Sequence, residues 1–308
     1  VRVLDDLDSR PGSANSLLRT VIGAVMREHG GWLPTRVCIE LMSAVGLAPA
    51  LTRTALTRVK RKGLVASERR GSRAGYALTP DAWELLARGD RRIHHPRSMT
   101  LGDHWCLVSF SIPEAERGAR YHLRTRFAWI GAGHVSQSLW ILPAYLRPDV
   151  EHIVADLGVT GHVTIFTVSE IDQLAVPPDV ALTQWWDLPA LRQLHEDFLA
   201  AHTQALDVTD PARAFGVWIR ALDAWRPIPY RDPGLPPELL PADWPGVASS
   251  ELFLALREAT AEGASVFVRA VVADEVPVSA PSTSTARPAR TARTPRTARS
   301  ALREDGAL

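Results

Sequence analysis

The chain has 308 residues, of which 46% are hydrophobic, with 35 Lys and Arg against 34 Asp and Glu. That length fits two or three domains. The apolar content excludes a disordered chain, two cysteines exclude a disulfide scaffold, and apolar runs such as residues 163–168 are far short of a membrane span. The near-zero net charge hides a segregation: residues 1–100 carry +8, residues 101–275 carry −11 and residues 276–308 carry +4. A basic N-terminal module on an acidic body implies a polyanionic partner for one end only.

Residues 1–14 read as a flexible lead. They are acidic and lack the apolar core of a secretory signal. Residues 16–26 place Leu17, Leu18, Val21, Ile22, Val25 and Met26 at helical spacing, with Asn15 as the expected cap. After Gly30-Gly31, Trp32-Leu33 reads as a short strand. Thr35 is then the expected cap of a second helix carrying Val37, Cys38, Leu41, Met42 and Val45, which Gly46 ends. A third helix starts at Ala48-Pro49, with Leu51, Ala55, Leu56 and Val59 on its inner side and Arg53, Thr54, Thr57, Lys60 and Arg61 on its outer side. Residues 64–68 and 76–78 read as strands around a turn over residues 69–75. A short helix then starts at Thr79-Pro80. Helix, strand, helix, helix, strand, basic loop, strand is the order of a winged helix-turn-helix.

Residues 88–97 read as a polar linker. The order expected next is a strand at 105–112, a helix at 113–129, strands at 131–136 and 138–142, a helix at 149–157 and a strand at 162–168. That is βαββαβ, a ferredoxin-like plait. Helices are expected at 188–205, 211–225 and 249–270, with a Pro-rich ordered crossing at 226–246. From residue 275 onward, arginines at 287, 290, 293, 296 and 299 recur among Ser, Thr, Ala and Pro, where no core can form. The fold class is therefore α+β in five segments: the lead at 1–14, a winged-helix domain at 15–90, a central ferredoxin-like domain at 97–172, a helical domain at 173–272 and a disordered Arg-rich tail at 273–308.

No phosphate-binding loop, Gly-x-Ser-x-Gly elbow or His-Glu-x-x-His helix is present. Gly131-Ala132-Gly133 is half of a dinucleotide fingerprint and reads as a turn. His94, His95 and His104 lack an acidic partner pattern and read as solvated rather than metal-binding, so neither a metal nor a cofactor is expected. Cys38 and Cys106 read as reduced, buried packing residues of a cytoplasmic protein. Thr52, Arg53, Thr54, Thr57, Arg58, Lys60 and Arg61 are the candidate DNA-reading residues of the third helix, and Arg69, Arg70 and Arg73 those of the hairpin. Arg117, Arg120, Arg124 and Arg126 are candidates for holding the phosphates of an effector, with Trp105 and Trp140 as aromatic walls.

Gly31-Trp32-Leu33, residues 53–58 (RTALTR) and residues 76–80 (YALTP) resemble the PaaX-type transcriptional repressors. So do Trp105-Cys106-Leu107-Val108, Ser111-Ile112-Pro113-Glu114, Leu139-Trp140-Ile141-Leu142-Pro143, Trp186-Asp187-Leu188, residues 232–241 (DPGLPPELLP) and Asp243-Trp244-Pro245-Gly246. The resemblance spans about residues 15–270. It implies a homodimeric repressor, not an enzyme, that leaves its operator when a small molecule binds. The implied effector is an aryl- or acyl-CoA thioester such as phenylacetyl-CoA. The competing reading is a metal-dependent nuclease or CRISPR-like accessory protein using the plait, with Asp103 as a metal carboxylate; one carboxylate without a second weighs against it.

Overall fold

The computed structural model describes residues 10–171, 176–205 and 208–274. The expected Arg-rich tail beyond 274 and the first nine residues of the lead lie outside them. The fold is α+β.

Ser13, not Asn15, caps α1 (Ala14–Val21), its hydroxyl accepting from the Ser16 amide. The helix continues through a π turn at Ile22–Met26 and a 3₁₀ turn at Arg27–His29. β1 (Trp32–Pro34) leads into α2 (Thr35–Ala44), whose cap is Pro34. Thr35 is already helical and instead donates to the Ala74 carbonyl. The chain bends by 120° into α3 (Pro49–Arg61), in the range of a helix-turn-helix corner. β2 (Val65–Arg70) and β3 (Arg73–Leu78) follow, and the sheet order is β1-β3-β2. Arg70 pairs with Arg73, so the turn is only Gly71-Ser72 rather than the seven residues expected. Gly71 supplies the φ of +60° that such a turn requires. α4 (Pro80–His94) is capped by Thr79 and runs through most of the expected linker.

The central domain is β4 (Trp105–Phe110), α5 (Arg117–Trp129), β5 (Gly133–Ser136), β6 (Leu139–Pro143), α6 (Arg147–Asp156) and β7 (Val163–Val168). Its sheet is fully antiparallel in the order β5-β6-β4-β7, the plait the βαββαβ pattern predicts. One sheet face, with Cys106, Val108, Phe110, Trp140 and Leu142, packs on Leu123 and Phe127 of α5 and Val150 and Ile153 of α6. The other, with Trp105 and Ile141, is covered by Leu182 of α7 (Pro178–Trp185), Trp186, and Leu188 and Leu191 of α8 (Leu188–His202). The Trp186 indole also donates to the Gly131 carbonyl at 2.8 Å, which fixes the Gly131-Ala132-Gly133 turn.

α9 (Pro211–Trp225), a short α10 (Ile228–Arg231) and the 28-residue α11 (Gly246–Ala273) complete the chain. They share a core with the N-terminal domain: Phe215, Ile219, Ala264, Val268 and Val271 are buried against α1, α2 and α3. Buried Asp223 on α9 accepts from the Gly12 amide (2.7 Å), Ser16 Oγ (2.6 Å) and Thr20 Oγ1 (2.7 Å). Residues 10–14 are thus tied down, and the N-terminal and C-terminal domains are welded together rather than strung on a linker.

Candidate nucleic-acid interface and interdomain cavity

Thr52, Ala55, Leu56 and Val59 form the buried stripe of α3. Thr52 is fully buried and donates to the Ala48 carbonyl, so it leaves the set of candidate DNA contacts. Leu51, expected inside, is 55% exposed. The i, i+3, i+4, i+7 set starting at Thr52 makes a tighter stripe than one starting at Leu51, and burying a hydroxyl bonded to its own helix costs little.

The remaining candidates on α3 share the solvent face. Arg53, Thr54, Thr57, Arg58, Lys60 and Arg61 are all exposed. The side chains of Arg53, Arg58, Lys60 and Arg61 make no hydrogen bond or ion pair among the described residues. The hydroxyls of Thr54 and Thr57 donate to carbonyls of their own helix, keeping lone pairs available. On the hairpin, Arg69 donates to the Ser72 carbonyl at 3.0 Å. Arg70 is committed to Glu68 (2.7 Å) and lies 5.1 Å over the Trp32 ring. Arg73 stands without such a partner. Each element therefore carries exposed cations of its own, on the outer face of α3 and at the tip of the hairpin.

The six candidate effector residues do not meet. Arg126 is buried and bonded to Asp156 at 2.5 Å; Arg120 is held by the Ile112 carbonyl and Glu114; Arg117 is exposed and Arg124 half-buried. Trp140 packs on Phe127 and His134 on one side of the sheet, and Trp105 on Trp186 on the other. Asp103 accepts from the backbone and hydroxyl of Thr100, a turn cap. No group of three or more His, Cys, Asp or Glu side chains is placed to hold a metal among the described residues. Burial pushes the Cys38 thiol up to about 12 and the Cys106 thiol to about 11, as expected of inert core cysteines.

Two features were missed by sequence reasoning. The first is a clasp built on Asp232. Its carboxylate lies 2.8 Å from His195 Nε2 and accepts from the Gly234 amide; His195 Nδ1 lies 2.5 Å from Ser249 Oγ. By residue type this is a hydrolytic triad. Yet Ser249 is fully buried and donates to the Gly246 carbonyl, so no substrate reaches it. It joins α8, the Asp-Pro-Gly-Leu-Pro segment and α11. Gly234 (φ +71°) lies against the Arg97 carbonyl where no Cβ fits, and its own carbonyl accepts from the Met99 amide at 2.7 Å. The motif thus holds the chain between α4 and β4 onto the C-terminal domain.

The second is a cavity of about 520 Å³ where α4, α6 and this Pro-rich crossing meet. Arg92 lines it, nine-tenths buried, with its guanidinium 4.9 Å over the Tyr230 ring. The residue 232–241 string supplies only one part of the lining, and the rest comes from α4 and α6, so no local motif marks the whole site.

The comparisons with known proteins agree with this architecture. Residues 13–82 match the family described as PaaX-like protein, residues 98–179 the PaaX protein central Cas2-like domain, and residues 186–270 the PaaX-like protein C-terminal domain. Three matched PaaX-family domains define a transcriptional regulator rather than an enzyme. The chain belongs to the PaaX family of transcriptional regulators. It is 25% identical over 269 residues to the transcriptional repressor PaaX of Escherichia coli (strain K12), covering 84% of each chain. It is also similar to the solved structure of the uncharacterized protein Rv0674 from Mycobacterium tuberculosis. That match has 25% identity and a TM-score of 0.53, and covers 84% of this chain and 98% of that one.

Proposed function

We propose that the chain is a cytoplasmic repressor that binds double-stranded operator DNA as a homodimer and is released by a small-molecule effector. The observation that carries this reading is the set of exposed cations on α3 whose side chains have no internal partner, with further arginines on the β2–β3 hairpin. α3 enters the major groove, with Arg53, Thr54 and Thr57 at base edges and Arg58, Lys60 and Arg61 toward phosphates. Arg69 and Arg73 meet the backbone, with Arg70 held nearby by Glu68. Exposed Leu51, in the first turn of α3, is suited to apolar contact with a thymine methyl group. The family resemblance supports an aryl- or acyl-CoA thioester, phenylacetyl-CoA among them, as the effector. The dimer is held by the central and C-terminal domains, where positive charge is sparse. β7 lies at the sheet edge there with Phe166 half-exposed. Nothing in the carboxylate arrangement favours the nuclease reading.

The test is selection of bound sequences from a random duplex pool with the full chain, followed by anisotropy titration of the selected site. Arg53→Ala is expected to lose about 1–3 kcal/mol of specific binding, roughly 5- to 150-fold in affinity. Equal affinity in the variant removes Arg53 from base readout; no selected sequence at all overturns the reading.

A further inference from the structure

Arg92 is a buried cation with unmet hydrogen-bond donors. Its Nη2 donates to the Ile130 carbonyl at 3.0 Å, but Nε and Nη1 are buried with no hydrogen-bond acceptor, and Asp149 stays 3.9 Å from Nη1. Burying guanidinium donors unmet is costly, and proteins keep such groups where something else completes them. The cavity that Arg92 lines also receives Arg88, Arg91 and Arg97. Its two carboxylates are Asp149 and Asp232, and Asp232 is already engaged by His195 and the Gly234 amide. Its apolar lining includes Trp225, Ile228, Leu235 and Leu240.

We propose that this interdomain cavity is the binding site of an organic anion, its oxyanion on Arg92 and its apolar body against Trp225, Ile228 and Leu240. The volume is that of an ordinary small-ligand site. A carboxylate or phosphate in the cavity brings the opposite charge close to Arg92 in a poorly solvated place, where the attraction is strong. Occupancy is felt at the DNA end through α4. The last turns of α4 line the cavity, and its cap, Thr79, donates to the Gly63 carbonyl just past α3 at 2.6 Å. At 1.5 Å per residue the helix spans about 20 Å between these points. This second half of the proposal rests on the regulator reading; the binding site does not.

The experiment is calorimetry of the full chain with phenyl phosphate, benzoate and the neutral benzyl alcohol, repeated on Arg92→Met. At least one anion is expected to bind tenfold or more tightly than the alcohol and to lose tenfold or more in the variant; which anion does so separates a phosphate from a carboxylate ligand. Should Arg92→Met fail to fold, Val247→Trp replaces it. Val247 is an exposed residue of the cavity lining, where a bulky ring fills the space from outside, and the same loss is expected. Equal binding of anion and alcohol, no binding of either anion, or unchanged affinity in the folded variant overturns the site. Operator anisotropy on the same samples separates the two readings: intact operator binding with no anion bound removes the cavity and leaves the regulator. Anion binding by a chain that selects no DNA removes the regulator and leaves the site.

Discussion

His94 packs its ring against Trp218 and Phe253 near the end of α4, and burial lowers its pKa despite nearby Asp90. Burial likewise lowers the pKa of His152, which sits beside Arg88, and of His202. Each of these imidazoles titrates at lower pH in the folded chain than in the unfolded one, where the value is about 6.5. As pH falls through that value the unfolded chain takes up protons first. The stability they contribute is therefore fully present above about pH 6.5 and is lost as the pH drops toward their folded values. The urea midpoint is expected to fall between pH 7.5 and 5.5, with a shallower fall in His94→Gln; a midpoint flat across that range contradicts the burial argument. The same scale shows what a sequence can carry. The outer face of α3 was legible because a helix exposes charge at a fixed period. Thr52 was misplaced because its residue type does not reveal that its hydroxyl is satisfied within its own helix. Arg92 was invisible as a site because its environment is assembled from residues more than a hundred positions apart.

At the scale of elements, the hairpin and the α1–α9 contact make different demands. The wing is short and Arg70 is bound to Glu68, so Arg69 and Arg73 are its cations available for phosphates. Replacing both with Ala is expected to reduce the slope of log affinity against log salt by about two, close to one for each phosphate no longer neutralised. An unchanged slope places the hairpin away from DNA. The α1–α9 contact rests on Asp223. Removing its carboxylate strands two buried hydroxyls and a part-buried amide and leaves Arg226, 3.5 Å away, without its counter-ion. Asp223→Ala is expected to cost about 3–5 kcal/mol in urea unfolding, and Asp223→Asn less. The plait was readable in order and nearly in bounds because its strands are short apolar runs, such as Trp105–Phe110 and Leu139–Pro143, set between helical segments. The division into separate modules was less so: an unbroken α4 replaced most of the linker, and the shared core of α1, α2, α9 and α11 joins faces that each read as complete amphipathic helices on their own.

For the whole molecule, that welding constrains how a signal reaches DNA. With α3 sharing a core with α9 and α11, and α1 bonded to Asp223 of α9, the N-terminal domain does not swing freely on the C-terminal one. In the proposed homodimer, switching therefore falls to the relation between two protomers, and thus to the distance between their two α3 helices. Two-fold symmetry then requires inverted half-sites centred about 10 base pairs apart or a multiple of that, and inserting about 5 base pairs between them is expected to abolish tight binding while a full turn restores it in part. An effector drives release only by binding the released geometry more tightly than the DNA-bound one. Linkage makes the effect mutual: operator must weaken effector binding by the same factor by which effector weakens operator binding, typically about 5- to 150-fold. Calorimetry of phenylacetyl-CoA, or of whichever acyl-CoA thioester a release screen identifies, against the free dimer and against the dimer on its operator measures that factor directly. Equal affinities in the two titrations rule out effector-driven release and leave the C-terminal domain a structural partner of the DNA-binding surface rather than its sensor.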